Sequence, residues 1–423
     1  QPTGRLALAD VTRGRNMTGV KPGEIKKLLV LETLPKPVNF SGTMEPLSVN
    51  GTFTLPRILG TVPVEPDGSA FFEVPALRPV FFVALDANDL AVKRMQSFVS
   101  VMPGESTSCV GCHENRTEAS GLHTQPLAMR KPPARIEPVA DVPDVIDFPR
   151  DVQPILDWRC VSCHDCRGPK PPAAMLSLAG DHTPWYSHSY TELMIRGLVS
   201  HGRDAQGNHA PRSIGSSASR LMSFLDGSHE NVRLTALEQK TVRLWIETGA
   251  TYPGTYASLG SGMVSWRPDG DVLQRRCASC HSAGKDPKAG AKFRTDNELL
   301  ANLTEPRRSM ILLAPLAPSA GGWGLCKAKP AAGDAPGAAA PFASADDPDY
   351  RKLLASIEET RGQLRKITRF DMPNFRPNAP YVREMKRYGI LPASAGNDDK
   401  KIDVYAADRD YWKSFWYRPA ETK

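Results

Sequence analysis

A chain of 423 residues is long enough for roughly two to four domains, and 40% hydrophobic residues suffice for ordinary cores. The formal net charge of +7 comes without a long basic run, which gives no reason to expect a nucleic-acid partner. No apolar run reaches the roughly 18 residues of a membrane span, and the best candidate, Met310 to Leu325, is broken by Pro315 and Pro318.

Residues 1–104 read as a β-sandwich-like domain. Lys27 to Glu32, Thr52 to Leu55, Ile58 to Val64, Ala70 to Val74 and Val80 to Leu85 are strand candidates, and Pro66-Asp67-Gly68-Ser69 reads as a hairpin turn. Residues 105–147 follow as a short segment with its own cysteine motif and a linker rich in Pro, Ala and Val from Arg130 to Pro149. Residues 148–265 read as a mainly helical, cytochrome c-like domain. A short helix at Asp151 to Leu156 leads into Cys160. A closing helix starts at the capping box Thr235/Glu238, buries Val242, Trp245 and Ile246, and stops at Gly249. Residues 266–423 repeat that order, with Asp271 to Gln274 before Cys277. A loop-like Ala/Pro/Gly-rich stretch from Cys326 to Asp347 is followed by a charged helix from Tyr350 to Phe370, a shorter one from Tyr381 to Tyr388, and an aromatic tail helix from Asp408 to Trp416. The expected class is therefore α+β: a β-sandwich-like domain, then two helical cytochrome c-like domains.

The chemistry lies in three C-x-x-C-H pentapeptides: Cys109 to His113, Cys160 to His164 and Cys277 to His281. Two cysteines at this spacing each form a thioether to a haem vinyl group, and the next histidine lies under the porphyrin as proximal iron ligand. A C-x-x-C pair also serves in zinc sites and redox dithiols. The trailing histidine separates the readings: the chain has nine histidines, and three of them stand directly behind the three pairs. The expectation is three covalently bound haem c groups, held by Cys109, Cys112, Cys160, Cys163, Cys277 and Cys280 and ligated by His113, His164 and His281.

The two helical domains share a second pattern just before their closing helices. One reads His229-Glu230-Asn231-Val232-Arg233 and the other Met372-Pro373-Asn374-Phe375-Arg376, both ligand-x-Asn-x-Arg. Small cytochromes take their sixth ligand from such a loop, so His229 is expected on the second haem and Met372 on the third, with Met310 as fallback. No cytochrome body follows His113, so its distal ligand must be borrowed, with His188 and His123 the first candidates, or the iron keeps an open position.

Haem attachment of this kind takes place outside the cytoplasm, which implies a periplasmic or extracellular protein with its signal peptide removed. Cys166 and Cys326 are left over. In an oxidising compartment such residues pair more often than they stay free, and a Cys166–Cys326 disulfide is expected.

The run Arg57 to Ala70, followed by Met102-Pro103-Gly104-Glu105 and Ser108 to Glu114, resembles the middle domain of the hydrazine synthase alpha subunit. Asp151 to Leu156 and Leu244 to Ala250 are similar to cytochrome c domains of planctomycete type. The resemblance implies a multihaem redox protein. It also implies a tyrosine on the middle-domain iron four residues after the motif histidine, a position held here by Thr117. Two functions follow. One is a triheme cytochrome that carries electrons between extracytoplasmic redox partners, as part of a complex or a homo-polymer. The other is a haem oxidoreductase acting on a small nitrogen compound at an open first haem. No Ser-His-Asp set and no phosphate loop is present in the sequence.

Overall fold

The computed structural model describes residues 2–38, 47–49, 51–52, 54–112, 125–202, 207–260, 262–281, 298–326, 340–396 and 401–418. Its strands are β1 (Thr3–Leu8), β2 (Lys27–Thr33), β3 (Pro56–Pro63), β4 (Ala70–Pro75), β5 (Val80–Leu85), β6 (Ala91–Arg94) and β7 (Ser106–Cys109). Its α-helices are α1 (Gln153–Arg159), α2 (His188–Ile195), α3 (Ala236–Glu247), α4 (Gly270–Arg276), α5 (Ala278–His281), α6 (Met310–Leu313), α7 (Pro348–Ile367), α8 (Ala379–Arg387) and α9 (Val404–Ser414). The class is α+β, with all seven described strands preceding the helices. Among the described residues no helix is long and apolar enough to cross a membrane.

The chain forms two compact units, each discontinuous in sequence. One comprises Gln1–Val152, Arg196–Gly260 and Arg376–Lys423; the other comprises Gln153–Ile195 and Ser261–Phe375.

In the first unit, two sheets share one core. Their orders are β4-β1-β7 and β3-β2-β5-β6. Period-two alternation sends Leu6, Phe72 and Val74 inward from the first sheet and Leu28, Val30, Val62, Val80 and Ala84 inward from the second. Phe72 meets Phe82 edge-on at 5.5 Å between ring centres. The turn at Pro66 to Ser69 forms as expected, with Gly68 N–H bonded to the Glu65 carbonyl at 2.8 Å. It does not make a hairpin. β3 pairs with β2 and β4 with β1, so the turn carries the chain from one sheet to the other. β1 and β7 were not legible in the sequence. They pair in parallel, Leu8 opposite Cys109, and β7 is a polar Ser-Thr-Ser-Cys run. The strand expected at Thr52 to Leu55 is absent among the described residues there, Phe53 lying outside them. The linker expected from Arg130 is strapped to both sheets, with Ala134 bridged to Phe72 and Glu137 to Thr61.

The helices of this unit follow their sequence signals. Thr235 Oγ1 accepts from Glu238 N at 3.2 Å, and the Glu238 carboxylate accepts from Thr235 N at 2.7 Å, which completes the capping box of α3. Its buried face brings Trp245 to 5.1 Å from Phe148. α9 is anchored by two buried carboxylates. Asp408 accepts from Thr255 Oγ1 at 2.7 Å, Tyr256 N at 2.8 Å and Tyr381 Oη at 2.7 Å. Asp147 accepts from Gly254 N at 2.7 Å and Tyr405 Oη at 2.9 Å. Burial raises both carboxyls to a pKa of about 6.

In the second unit, the apolar core includes Val272 of α4, Leu312 of α6 and Leu353, Ile357 and Leu364 of α7. α7 begins at Asp347, whose carboxylate accepts from Asp349 N at 2.8 Å and Tyr350 N at 3.3 Å. The segment leading into α2 is fastened to the stretch near residue 302. Leu303 N donates to the His182 carbonyl at 2.8 Å, and Asn302 Nδ2 donates to Asp181 at 2.8 Å.

Candidate functional site

The first cysteine motif closes on the sandwich. β7 ends at Cys109, whose carbonyl accepts from Ala9 N at 2.9 Å. Asp10 N donates to the Val110 carbonyl at 3.0 Å, and Cys112 N donates to the Arg13 carbonyl at 2.7 Å. The two backbones approach so closely that a Cβ on Gly14 would lie 1.8 Å from the Cys112 carbonyl oxygen, and one on Gly111 would lie 2.3 Å from that of Arg13. Only glycine fits either place. Cys109, Gly111 and Cys112 thereby line a cavity of about 250 Å³ between the sheets. Leu6, Leu8 and Phe72 form one wall, Leu28, Phe82 and Ala84 the other, and Lys93 and Arg94 add two cations. An apolar slot with a cysteine pair and cationic groups on its wall suits the chemistry of a thioether-bound porphyrin, whose disc is apolar and whose edge carries two carboxylates. His113, His123 and Thr117 lie outside the described residues.

Lys93 is buried. Its ammonium donates to the Asn16 carbonyl at 3.1 Å, to Asn208 Oδ1 at 2.9 Å and to the His209 carbonyl. Desolvation lowers its pKa, opposed by the nearby Cys112 thiol. Arg94 donates to the His201 carbonyl at 3.2 Å and lies 5.9 Å over the Phe81 ring. Neither cation was singled out from the sequence, and β6, which carries them, was not among the expected strands.

The second motif continues the helical backbone of α1. Cys160 N donates to the Leu156 carbonyl at 2.8 Å, and His164 N to the Cys160 carbonyl at 3.0 Å. Cys160 and Cys163 thus sit on one helical turn with His164 one turn beyond Cys160. His164 Nδ1 lies 3.2 Å from the Ala173 carbonyl oxygen and 3.3 Å from that of Leu176. Carbonyls only accept, so Nδ1 is the donor in these two contacts, which orient the ring. Burial pushes the Cys160 thiol up to about 11. The residues fit a c-type haem: two sulfurs at the attachment spacing and an imidazole oriented by two backbone carbonyls.

The third motif follows α4, which is stapled to the start of α7. Arg276 Nε meets Asp349 at 2.8 Å, Arg275 Nη2 meets Asp349 at 2.6 Å, and Arg276 Nη2 meets Asp347 at 3.0 Å. Cys277 N donates to the Leu273 carbonyl and His281 N to the Cys277 carbonyl, each at 2.9 Å, so the motif is again a helical turn. The side chain of Cys280 lies outside the described residues. Met372 packs on the core that holds Val272, and Met310 opens α6.

The other expected ligands are placed as follows. His229 lies in the first unit with its ring 5.2 Å from Phe224, whereas His164 lies in the second. The shared loop pattern has a backbone basis: Asn231 and Asn374 both take positive φ, 59° and 64°, a conformation asparagine tolerates well. His188 is buried at the start of α2, its Nε2 3.2 Å from the Ala301 carbonyl oxygen, and desolvation lowers its pKa. The expected Cys166–Cys326 disulfide is not made. Cys166 carries a free, buried thiol that interacts with the Ser177 side chain, and burial pushes it up to about 11.

Residues 23–114 match the family described as the hydrazine synthase alpha subunit middle domain. Among curated proteins none matches the chain. Among solved structures, one of Kuenenia stuttgartiensis hydrazine synthase is similar at 20% identity with a TM-score of 0.45, a likeness too loose to argue from. It covers 60% of this chain, which spans 43% of that one. The matched segment runs from before β2 through the first cysteine motif, and over that segment the chain is hydrazine synthase alpha-like.

Proposed function

We propose that this chain is a c-type cytochrome with three covalent haems that passes electrons between extracytoplasmic partners. The observation that carries the reading is the cavity between the sheets, where Cys109 and Cys112 share an apolar lining with Lys93 and Arg94. The orientation of the His164 ring by the Ala173 and Leu176 carbonyls supports it at the second motif. Each haem supplies a one-electron iron couple when bound. The protein attaches it through a cysteine pair, fixes the proximal imidazole and surrounds part of the disc with apolar side chains, which together set the potential. In this reading His229 and Met372 are sixth ligands, residues 148–265 and 266–423 each carry one haem, and His188 or His123 serves the first. The partners are redox proteins, further subunits of a complex, or copies of the same chain, in the periplasm or outside the cell.

The test is haem stoichiometry: the denatured protein carries a mass increase of three haems and gives a c-type pyridine haemochrome. Fewer haems, or zinc on these cysteines, overturns the reading. A second reading has a specific observation in its favour. The match over residues 23–114 includes the motif beside the cavity, which favours an oxidoreductase acting on a small nitrogen compound at an open first haem. A high-spin ferric band that shifts with added ligands would select it over three low-spin haems.

A further inference from the structure

Among the described residues, Lys93 carries a buried charge that none of its hydrogen-bond partners balances. All three acceptors are neutral oxygens, from Asn16, Asn208 and His209. Its neighbour Arg94 differs, because the Glu247 carboxylate lies in its electrostatic field. A buried cation with neutral partners alone is costly, and a matching anion brought into the same low-dielectric space offsets that cost. The space beside Lys93 is the cavity lined by Cys109 and Cys112. A porphyrin joined to those two sulfurs is tetrapyrrole carbon almost throughout, and its propionates are its only anionic groups.

We infer that, when the haem is attached at Cys109 and Cys112, Lys93 exchanges one of its three neutral acceptors for a propionate carboxylate of that haem, and so is a positioning and potential-setting residue for it. The inference rests on the haem reading of this motif. A free carboxylate from solution has the same chemistry, and the experiment separates the two sources.

The experiment uses the full holoprotein. Lys93→Gln removes the charge and keeps a hydrogen-bond donor, while Lys93→Arg keeps the charge. In Lys93→Gln the resonance Raman propionate-bending band of one haem shifts and one of the three midpoint potentials falls, because an unbalanced carboxylate favours ferric iron. Lys93→Arg restores both toward the native values. Acetate titrated into the native protein moves neither. An unchanged band with unchanged potentials in Lys93→Gln overturns the inference. So does a native potential that depends on acetate, which would mark Lys93 as a site for a free anion. Should Lys93→Gln not fold, redox-difference infrared spectra of the native protein read the contact directly, and propionate bands of the solvated kind alone overturn it. The mass of the peptide spanning Cys109 to Cys112 keeps the two levels apart. No haem on that peptide removes the underlying reading, whereas haem present with silent variants removes only the role of Lys93.

Discussion

The two buried carboxylates that anchor α9 make stability depend on pH in an unusual direction. Asp408 has its carboxyl raised from 3.8 to about 6 by burial, despite three donors, and Asp147 is raised to about 6 in the same way. A carboxyl raised in the folded state binds its proton more tightly there than in the unfolded chain. Its contribution is therefore fully present below the unfolded value and is lost as pH rises through about 6. The shift corresponds to roughly 3 kcal/mol per group over the full titration, of which about 1.4 kcal/mol falls between pH 5 and pH 8. Acting independently, the pair makes the folded unit about 3 kcal/mol more stable at pH 5 than at pH 8, or roughly 6 °C or more in Tm. Asp408→Asn removes the titration while retaining one oxygen to accept from Thr255, Tyr256 or Tyr381. The assay is calorimetric unfolding at pH 5, 6, 7 and 8 for the native chain and the variant. The variant loses about half of the pH dependence. If its Tm follows the same slope as that of the native chain, Asp408 is ionised across this range and the reasoning fails.

Ligation makes a paired prediction: Met372→Ala abolishes the weak near-infrared sulfur-to-iron band of the ferric protein and lowers one midpoint potential, while His229→Ala turns a different haem high-spin and leaves that band intact. A retained band in Met372→Ala points to Met310. The free thiol of Cys166 predicts that alkylation without reductant labels it only after unfolding, because it is buried in the native state. Failure to label in denaturant would restore a disulfide.

Local chemistry was legible in the sequence. The cysteine motifs, the capping box of α3 and four of the strands are each encoded within a few residues of one another. Where a feature depends on neighbours far along the chain, the sequence was silent or misleading. The turn at Pro66 to Ser69 has every hairpin signal, because those signals report only the turn. Sheet partners are chosen by the burial of Phe72 against Phe82 and of Leu6 against the same core, and that choice sent β3 and β4 to different sheets. Cys166 was paired by counting leftover cysteines, but its thiol lies in a buried pocket beside Ser177, and counting carries no geometry. Lys93 was invisible for the same reason. Its meaning comes from a cavity that exists only once two sheets and the loop at Gly14 close around Cys109 and Cys112, bringing together residues separated by up to about two hundred positions whose proximity only long-range packing determines.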